Sequence, residues 1–182
     1  MAFPEEIETE RLRLRPFAPG DRDSLVESLN NWEVTRWLST NVPFPYRPAD
    51  GEKYIAIAIA DFKAGRSICY AVTDRDTGRH IGGIQVFSVT EEAEIGYWMS
   101  PDSWGRGYGS ELLKAVMDAG FQTGIISRFV AQTAADNKGS RRILEKAGFI
   151  HQGTPPPDYT RCGHQEGCSE FYSLAIDDWR NP

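Results

Sequence analysis

Residues 94–110 read EIGYWMSPDSWGRGYGS, and along this segment a strand-like pattern gives way to a glycine-rich turn and then to a helical pattern. Glycines at positions 105, 107 and 109 allow backbone conformations that are closed to other residues, and they let the main chain approach a ligand. The amides of such a turn and the positive end of the following helix attract an anion. Arg106 adds a formal charge there. We therefore predict that residues 105–110 bind a phosphate group.

The spacing of these glycines excludes two other phosphate loops. A dinucleotide-binding fingerprint needs the pattern G-x-G-x-x-G, and a P-loop needs four residues between its glycines, followed by Gly-Lys and a hydroxyl residue. Neither pattern occurs in the segment. The alternative that remains is a turn that only caps a helix.

The segments around the loop predict a mixed α/β fold. Residues 11–15 alternate polar and apolar side chains, which is typical of a half-buried strand. Residues 49–63 have isoleucines at strand spacing, but the alanines and the length of the segment favour a helix. Three strands before the loop are expected to form an antiparallel meander. We predict strands at residues 68–73, 80–89, 93–99, 129–133 and 169–176, and helices at residues 110–121, at residues 137–147 and around Leu25, Leu29 and Trp32.

Composition and charge limit the class of protein. The length of 182 residues and the hydrophobic content of 40% are typical of one globular domain, which we assign to residues 1–182. A net charge of −6 argues against direct binding of nucleic acid, which requires a basic face. Three cysteines are too few for a disulfide framework, no apolar run could span a membrane, and the acidic amino end does not resemble a signal peptide. We expect a cytoplasmic protein with no membrane partner.

A second motif follows the predicted helix and strand. Residues 136–149 read DNKGSRRILEKAGF, in which Asn137 is a typical N-cap and Gly148 typically ends a helix. Together with ERLRLR at residues 10–15, the two motifs resemble those of the GCN5-related N-acetyltransferase (GNAT) superfamily, particularly the branch that includes the ribosomal-protein N-terminal acetyltransferases. The resemblance extends from about residue 9 to about residue 179, with all three motifs in the family's order.

The resemblance implies a GNAT-like α/β (α+β) fold, with a central, mostly antiparallel mixed sheet that splays into a V after residues 94–99 and is flanked by helices. It also implies that acetyl-CoA is the acetyl donor, with its pantetheine arm in the gap and its pyrophosphate on residues 105–110. Two residues depart from the family pattern: Trp104 stands where many members have Gln or Arg, and Leu144 where many have a tyrosine acid. The implied cofactor-binding residues are Trp98, Met99, Trp104, Gly105, Arg106, Gly107, Tyr108, Gly109, Ser110 and Asn137.

Acylation of an amine requires a neutral amine, a polarised thioester carbonyl and a leaving thiol. The resemblance implies that a backbone amide near Met99 polarises the carbonyl and that Ser140 donates a proton to the thiol. Glu94 is our candidate for the base, with Glu170 in reserve. The alternative is that Glu94 and Glu170 are ordinary solvated carboxylates and that Ser140 is an ordinary polar residue of a first helical turn.

The early helices and their loop carry the aromatic residues expected to wall an acceptor cleft, although ordinary core positions are the alternative for each of them. A metal site formed by Cys162, His164 and Cys168 lacks a fourth ligand, so we predict no metal. The predicted substrate-binding residues are Trp32, Trp37, Tyr46 and Glu170.

The motifs and the family resemblance together predict an acetyl-CoA-dependent N-acetyltransferase. It would transfer acetyl to a primary amine, with the amine attacking the thioester directly. The favoured acceptor is the N-terminal α-amine of a protein or peptide, because an α-amine is neutral near pH 7 far more often than a lysine. One alternative is an acetyltransferase for a small amine, such as an amino acid, a polyamine or an antibiotic. Another is a non-catalytic sensor that binds acyl-CoA. The sequence is compatible with a monomer or a homodimer.

Overall fold

The computed structural model describes residues 2–154 and 169–180. Within them the strands are β1 (Ile7–Glu8), β2 (Leu12–Pro16), β3 (Ile68–Asp74), β4 (His80–Val86), β5 (Glu92–Met99), β6 (Arg128–Ala134), β7 (Ile150–Gly153) and β8 (Ser169–Ala175). The helices are α1 (Arg22–Leu29), α2 (Trp32–Thr35), α3 (Pro48–Lys63), α4 (Tyr108–Gln122), α5 (Lys138–Lys146) and α6 (Ile176–Arg180).

The described strands form one sheet in the order β1-β2-β3-β4-β5-β6-β8-β7. Every neighbouring pair is antiparallel except β5 and β6, which are parallel. The parallel pairing ends at Ile95 and Ala131, whereas β6 continues beside β8 as far as Ala134. Residues 96–99 therefore have no partner on β6, and a gap opens between the two strands. This confirms the mixed, mostly antiparallel sheet with a V, which opens halfway along β5.

The two faces of the sheet carry separate buried cores. Successive residues of a strand point to opposite faces, and on β3 Tyr70 belongs to one core while Ala71 belongs to the other. The core around Tyr70 includes the apolar stripe of α4, in which Leu112 and Val116 are fully buried. The core around Ala71 includes the buried residues of α1 and α3. Helices thus cover both faces and leave the gap at the edge of β5 accessible.

The prediction of a single early helix that included Trp32 is wrong. Helix α1 ends at Leu29, and α2 begins at Trp32 after Asn31, whose side chain accepts a hydrogen bond from the amide of Glu33. Because this side chain satisfies an amide that has no acceptor within the helix, Asn31 caps the start of a new helix. The ring of Trp32 is 39% exposed and lies against Phe44.

The helix at residues 49–63 is confirmed as α3. Ile55 is buried while Ile57 is 49% exposed, because residues two apart lie on different sides of a helix. The predicted meander of β3, β4 and β5 is also confirmed, although β4 ends at Val86. Strands β1 and β7, of two and four residues, were not predicted, since so short a segment carries no measurable periodicity.

Among the residues described, no helix is both long and apolar enough to cross a bilayer. Cys69 is buried and free. Cys162, His164 and Cys168 lie outside the described residues.

Candidate active site

A cavity of about 1300 Å³ follows the gap between β5 and β6. Its volume exceeds the 300–1,000 Å³ of an ordinary small-molecule pocket. One end is formed by the glycine-rich loop at residues 103–110 and the first turns of α5, and the other end by α2 and α3. Nine of the ten predicted cofactor residues line this cavity, and the exception is Arg106.

The glycine-rich loop presents its amides to the cavity. Gly105 and Gly107 have φ values of 72° and 82°, in the left-handed region, and Gly107 is the residue from which α4 begins. Among the described residues, no main-chain acceptor meets the amides of residues 105–110, and the first such bond is from Glu111 N to Gly107 O, at 3.3 Å. These amides lie at the positive end of a 15-residue helix, which is the arrangement that binds a phosphate.

The third glycine of the loop has a packing role. Gly109 is helical, and a Cβ added to it would lie 2.6 Å from Cδ1 of Ile143. Because real Cβ atoms do not approach so closely, any larger residue at position 109 would force the Ile143 side chain to move. Glycine at this position lets α4 and α5 pack closely without that rearrangement.

Arg11 contacts both the glycine-rich loop and the first turn of α4. Its Nη1 donates to the carbonyl of Arg106 at 2.9 Å, and its guanidinium lies 4.8 Å from the ring centre of Tyr108. Nη2 of Arg11 also lies 2.6 Å from Oε2 of Glu111, in the first turn of α4. Burial raises the pKa of Glu111, but hydrogen bonds from Thr9 and Arg11 outweigh it and hold the pKa below its usual range. The sequence motif at residues 10–15 includes Arg11, but no role was predicted for this residue.

The main chain of β5 points into the gap at alternate residues. Glu94 O accepts from Phe87 N at 3.0 Å, and Ser100 N donates to Ile81 O at 2.8 Å, so even-numbered residues bond toward β4. Odd-numbered residues then direct their N–H and C=O groups to the other side. Beyond Ile95 that side is the gap, so the amide of Met99 points into it. The Met99 carbonyl accepts a bond from Trp104 Nε1 at 2.9 Å, which ties the loop to the strand.

Ser140 and Asn137 meet at the start of α5. The side chain of Asn137 accepts a hydrogen bond from Ser140 N at 3.0 Å, the N-cap geometry expected for it. Across the gap, the hydroxyl of Tyr97 lies 3.0 Å from Oγ of Ser140. Tyr97 was missed by sequence reasoning, although its alternation with Ile95 could have placed it on the face of the sheet that carries α4.

The two candidate carboxylates lie in different places. Glu94 is exposed, lines the cavity and shares a side of β5 with Trp98. Glu170, on β8, forms a hydrogen bond with the imidazole of His151 on β7 and is not among the described residues that line the cavity. The structure therefore places Glu94, and not Glu170, in the lining of the cavity.

Trp98 packs against a buried histidine, His80, on the face of the sheet that carries α1 and α3. The rings of Trp98 and His80 meet edge to face, with centres 5.6 Å apart, and Nδ1 of His80 lies 2.8 Å from Oγ of Ser24. Burial lowers the pKa of His80, and the charge of Asp21 offsets part of that shift. The imidazole is accordingly neutral near pH 7.

Two of the predicted acceptor residues, Trp37 and Tyr46, line the cavity, while Trp32 lies outside it. Burial, assisted by the nearby charge of Asp50, raises the pKa of Tyr46 to about 12. Its phenol therefore stays protonated near neutral pH. The same end of the cavity is lined by further apolar and aromatic side chains, namely Leu38, Val42, Tyr54, Ile57 and Phe87.

The two ends of the cavity carry charged side chains of opposite predominant sign. Lys138, Arg142 and Lys146 follow one another at helical spacing, and all three line the cavity from α5. Among the described residues that line this end, the one acidic side chain is Asp136, which precedes α5. The end formed by α2, α3 and β5 has the carboxylates Glu33, Asp50 and Glu94, opposed by Lys53. An anionic ligand is thus attracted to the loop and α5, and a cationic one to the opposite end.

Comparison with known proteins identifies the family of the chain. A family model described as the acetyltransferase (GNAT) domain matches residues 11–150. The uncharacterized N-acetyltransferase YoaA of Bacillus subtilis (strain 168) is 32% identical over 150 residues, covering 81% of this chain and 84% of YoaA. The ribosomal-protein-serine acetyltransferase of Escherichia coli (strain K12) is 35% identical over 90 residues, covering 50% of this chain and 44% of that protein.

The fold is also similar to that of solved structures. Mycobacterium smegmatis RimJ in complex with CoA-disulfide superposes with a TM-score of 0.83 at 16% identity, covering 98% of this chain and 91% of that chain. From the match over residues 11–150 and the similarity to YoaA, we conclude that the chain belongs to the GNAT family of N-acetyltransferases.

Proposed function

We propose that this enzyme uses acetyl-CoA to acetylate the N-terminal α-amine of a cytoplasmic protein or peptide. One observation carries the proposal: amides of a helix N-terminus with no main-chain acceptor among the described residues share a single cavity with the opened edge of a strand. The amides suit a diphosphate, and the strand edge suits an arm that carries amide groups of its own.

The donor would lie along the loop and the gap. Residues 105–110 would bind its pyrophosphate, with Arg106 adding charge from outside the cavity lining. The basic stripe of α5, defined as Lys138, Arg142 and Lys146, suits the remaining phosphate of coenzyme A. The amide of Met99 points into the gap, where it can donate to the thioester carbonyl as negative charge develops on the oxygen.

The acceptor would enter from the end that has three carboxylates. An amine arrives mostly as an ammonium ion, which Glu33, Asp50 and Glu94 attract. With a reference pKa of about 7.7 to 8.0, roughly a tenth of an α-amine is neutral at pH 7, so a weak base is sufficient. Glu94 would accept the proton that the amine loses.

The chemical step would be a direct transfer. The nitrogen lone pair attacks the carbonyl carbon, the C–S bond breaks, and the sulfur takes the bonding electrons. Ser140, held by Asn137 at the start of α5, would give a proton to that sulfur. The similarity to a ribosomal-protein-serine acetyltransferase supports a protein acceptor.

The test measures release of free thiol from acetyl-CoA with a panel of acceptors. One set consists of peptides with a free amino terminus and an internal lysine, and the matched set has the same peptides with the amino terminus blocked. We expect turnover with the first set and none with the second. Amino acids, polyamines and an amine-containing antibiotic complete the panel.

Each other outcome contradicts part of the proposal. Turnover confined to the small amines would replace the peptide acceptor by a small-molecule one. Equal turnover with free and blocked peptides would indicate a lysine acceptor. Coenzyme A binding by calorimetry without thiol release from any acceptor would indicate an acyl-CoA sensor.

A further inference from the structure

We propose that Tyr97 is a positioning residue for Ser140, fixing its hydroxyl and resupplying the proton that Ser140 gives to the leaving thiolate. This inference rests on the proposed function, because it takes Ser140 as the proton donor. Tyr97 lies within the motif at residues 94–110, but neither the motifs nor the comparisons give it a role. The observation behind it is the pair of hydroxyls that meet across the gap.

The geometry holds Ser140 from two sides. Asn137 accepts a hydrogen bond from the Ser140 amide at 3.0 Å, which fixes the backbone of the residue. From β5, Oη of Tyr97 lies 3.0 Å from Oγ of Ser140 and 3.4 Å from its carbonyl oxygen, so the side chain is the nearer partner. A serine hydroxyl rotates freely unless a partner orients it. Tyr97 supplies that partner at the edge of the cavity that both residues line.

The fold brings these residues together through the separation of β5 from β6. Tyr97 lies two residues after Ile95, the last residue of β5 that pairs with β6. The side chains of Ile95 and Tyr97 therefore point to the same face of the sheet. Tyr97 also packs against the core formed with α4, which fixes the direction of its ring. Its hydroxyl therefore reaches the first turn of α5, 43 positions later in the sequence.

The chemistry favours a pair of hydroxyls over a single serine. A thiol ordinarily titrates near 8.5 and a phenol near 10, whereas an aliphatic hydroxyl is a far weaker acid. A proton passed from a phenol through the serine to the sulfur comes from a group whose acidity nearly matches that of the acceptor. Hydrogen bonds in such a chain also polarise and strengthen one another.

Two protons move toward the sulfur in this step. When the C–S bond breaks, the sulfur keeps the electron pair and takes the proton of Ser140 Oγ. The proton of Tyr97 Oη moves to Ser140 Oγ, and the resulting phenolate recovers a proton from solvent. The proton lost by the amine equals the one gained by the thiol, so no further reactant is needed.

The test is a double-mutant cycle on single-turnover acetyl transfer, with Tyr97→Phe, Ser140→Ala and the combination of both. We expect Ser140→Ala to slow transfer by about 10²-fold and Tyr97→Phe by about tenfold, at and below the low end for general acids. The KM for acetyl-CoA should stay unchanged in Tyr97→Phe. In the Ser140→Ala background, Tyr97→Phe should have no further effect, because its action passes through the serine.

The matched control is Tyr70→Phe, which removes the hydroxyl of a buried tyrosine that bonds to Pro4 and lies outside the cavity lining. It should leave the transfer rate unchanged. A proton inventory on the unmutated enzyme, in mixtures of light and heavy water, should curve as expected for two protons in flight.

Several results would overturn the inference. Equal losses from Tyr97→Phe in both backgrounds would show that the ring acts by packing, and would leave the role of Ser140 intact. A linear proton inventory would likewise exclude the second proton. Unchanged transfer in Ser140→Ala would remove Ser140 from the proposed mechanism and Tyr97 with it.

Discussion

Replacing Gly107 by alanine adds a Cβ within the glycine-rich loop, at the residue from which α4 begins. Its φ of 82° lies in the left-handed region, where an L-residue is less stable by about 1–2 kcal/mol. The atom nearest to the new Cβ would be Nη2 of Arg11, at 3.4 Å, an ordinary contact distance. Backbone strain, and not a collision, therefore sets the cost.

That strain must appear in one of two measurements. If the loop keeps its shape, the free energy of unfolding falls by about 1–2 kcal/mol, and Tm falls by roughly 2–8 °C for a chain of this size. If the loop relaxes, its amides turn away from the ligand, and the Kd for coenzyme A rises by about 5- to 30-fold. Thermal unfolding and titration calorimetry on the same protein distinguish the two.

Gly20→Ala is the control for this experiment. Gly20 has no positive φ, and a Cβ there would have no neighbour within 4 Å, so stability and affinity should stay close to those of the unmutated chain. If Gly107→Ala matched this control in both Tm and Kd, the geometry that we assign to the phosphate loop would be wrong.

The basic side chains of α5 and the buried His80 can each be tested by substitution. Changing Lys138, Arg142 or Lys146 to Gln should each raise the Kd for coenzyme A by roughly two- to fivefold, less so in high salt. Lys63→Gln, outside the cavity, is the control in calorimetry, and an equal effect there would contradict the assignment. Because the pKa of His80 is lowered in the folded state, the unfolded chain takes up a proton first, and the free energy of unfolding should fall as pH drops below about 6.5. His80→Gln should flatten this dependence in melts from pH 8 to pH 5, and an unchanged slope would refute the explanation.

Much of the fold was predictable because its signals are local. The stripe of α4, the Asn137 cap and the alternation in β5 each lie within a few consecutive residues, and the structure confirms all three as elements. The early helix that was predicted to include Trp32 failed for a local reason too, since Asn31 starts a new helix.

The candidate site was predictable only in part. Glycine spacing led to the phosphate loop, and most of the residues named for the cofactor do line the cavity. Glu170 was named as a reserve base, but strand pairing places it beside His151. The side chain that lies against Ser140 was not named, because alternation assigns Tyr97 to a face without saying what covers that face.

The sequence by itself determined the family, the glycine-rich loop proposed to bind an anion and the positions of most helices and strands, since glycine spacing, capping residues and periodicity act over one or two turns of chain. Only the tertiary structure decided that Arg11 supports a loop 95 positions away and that Tyr97 meets Ser140. The first contact depends on how α4 packs beside β2, and the second depends on where β5 leaves β6. Strand register and helix packing set both, and neither leaves a local pattern in the sequence.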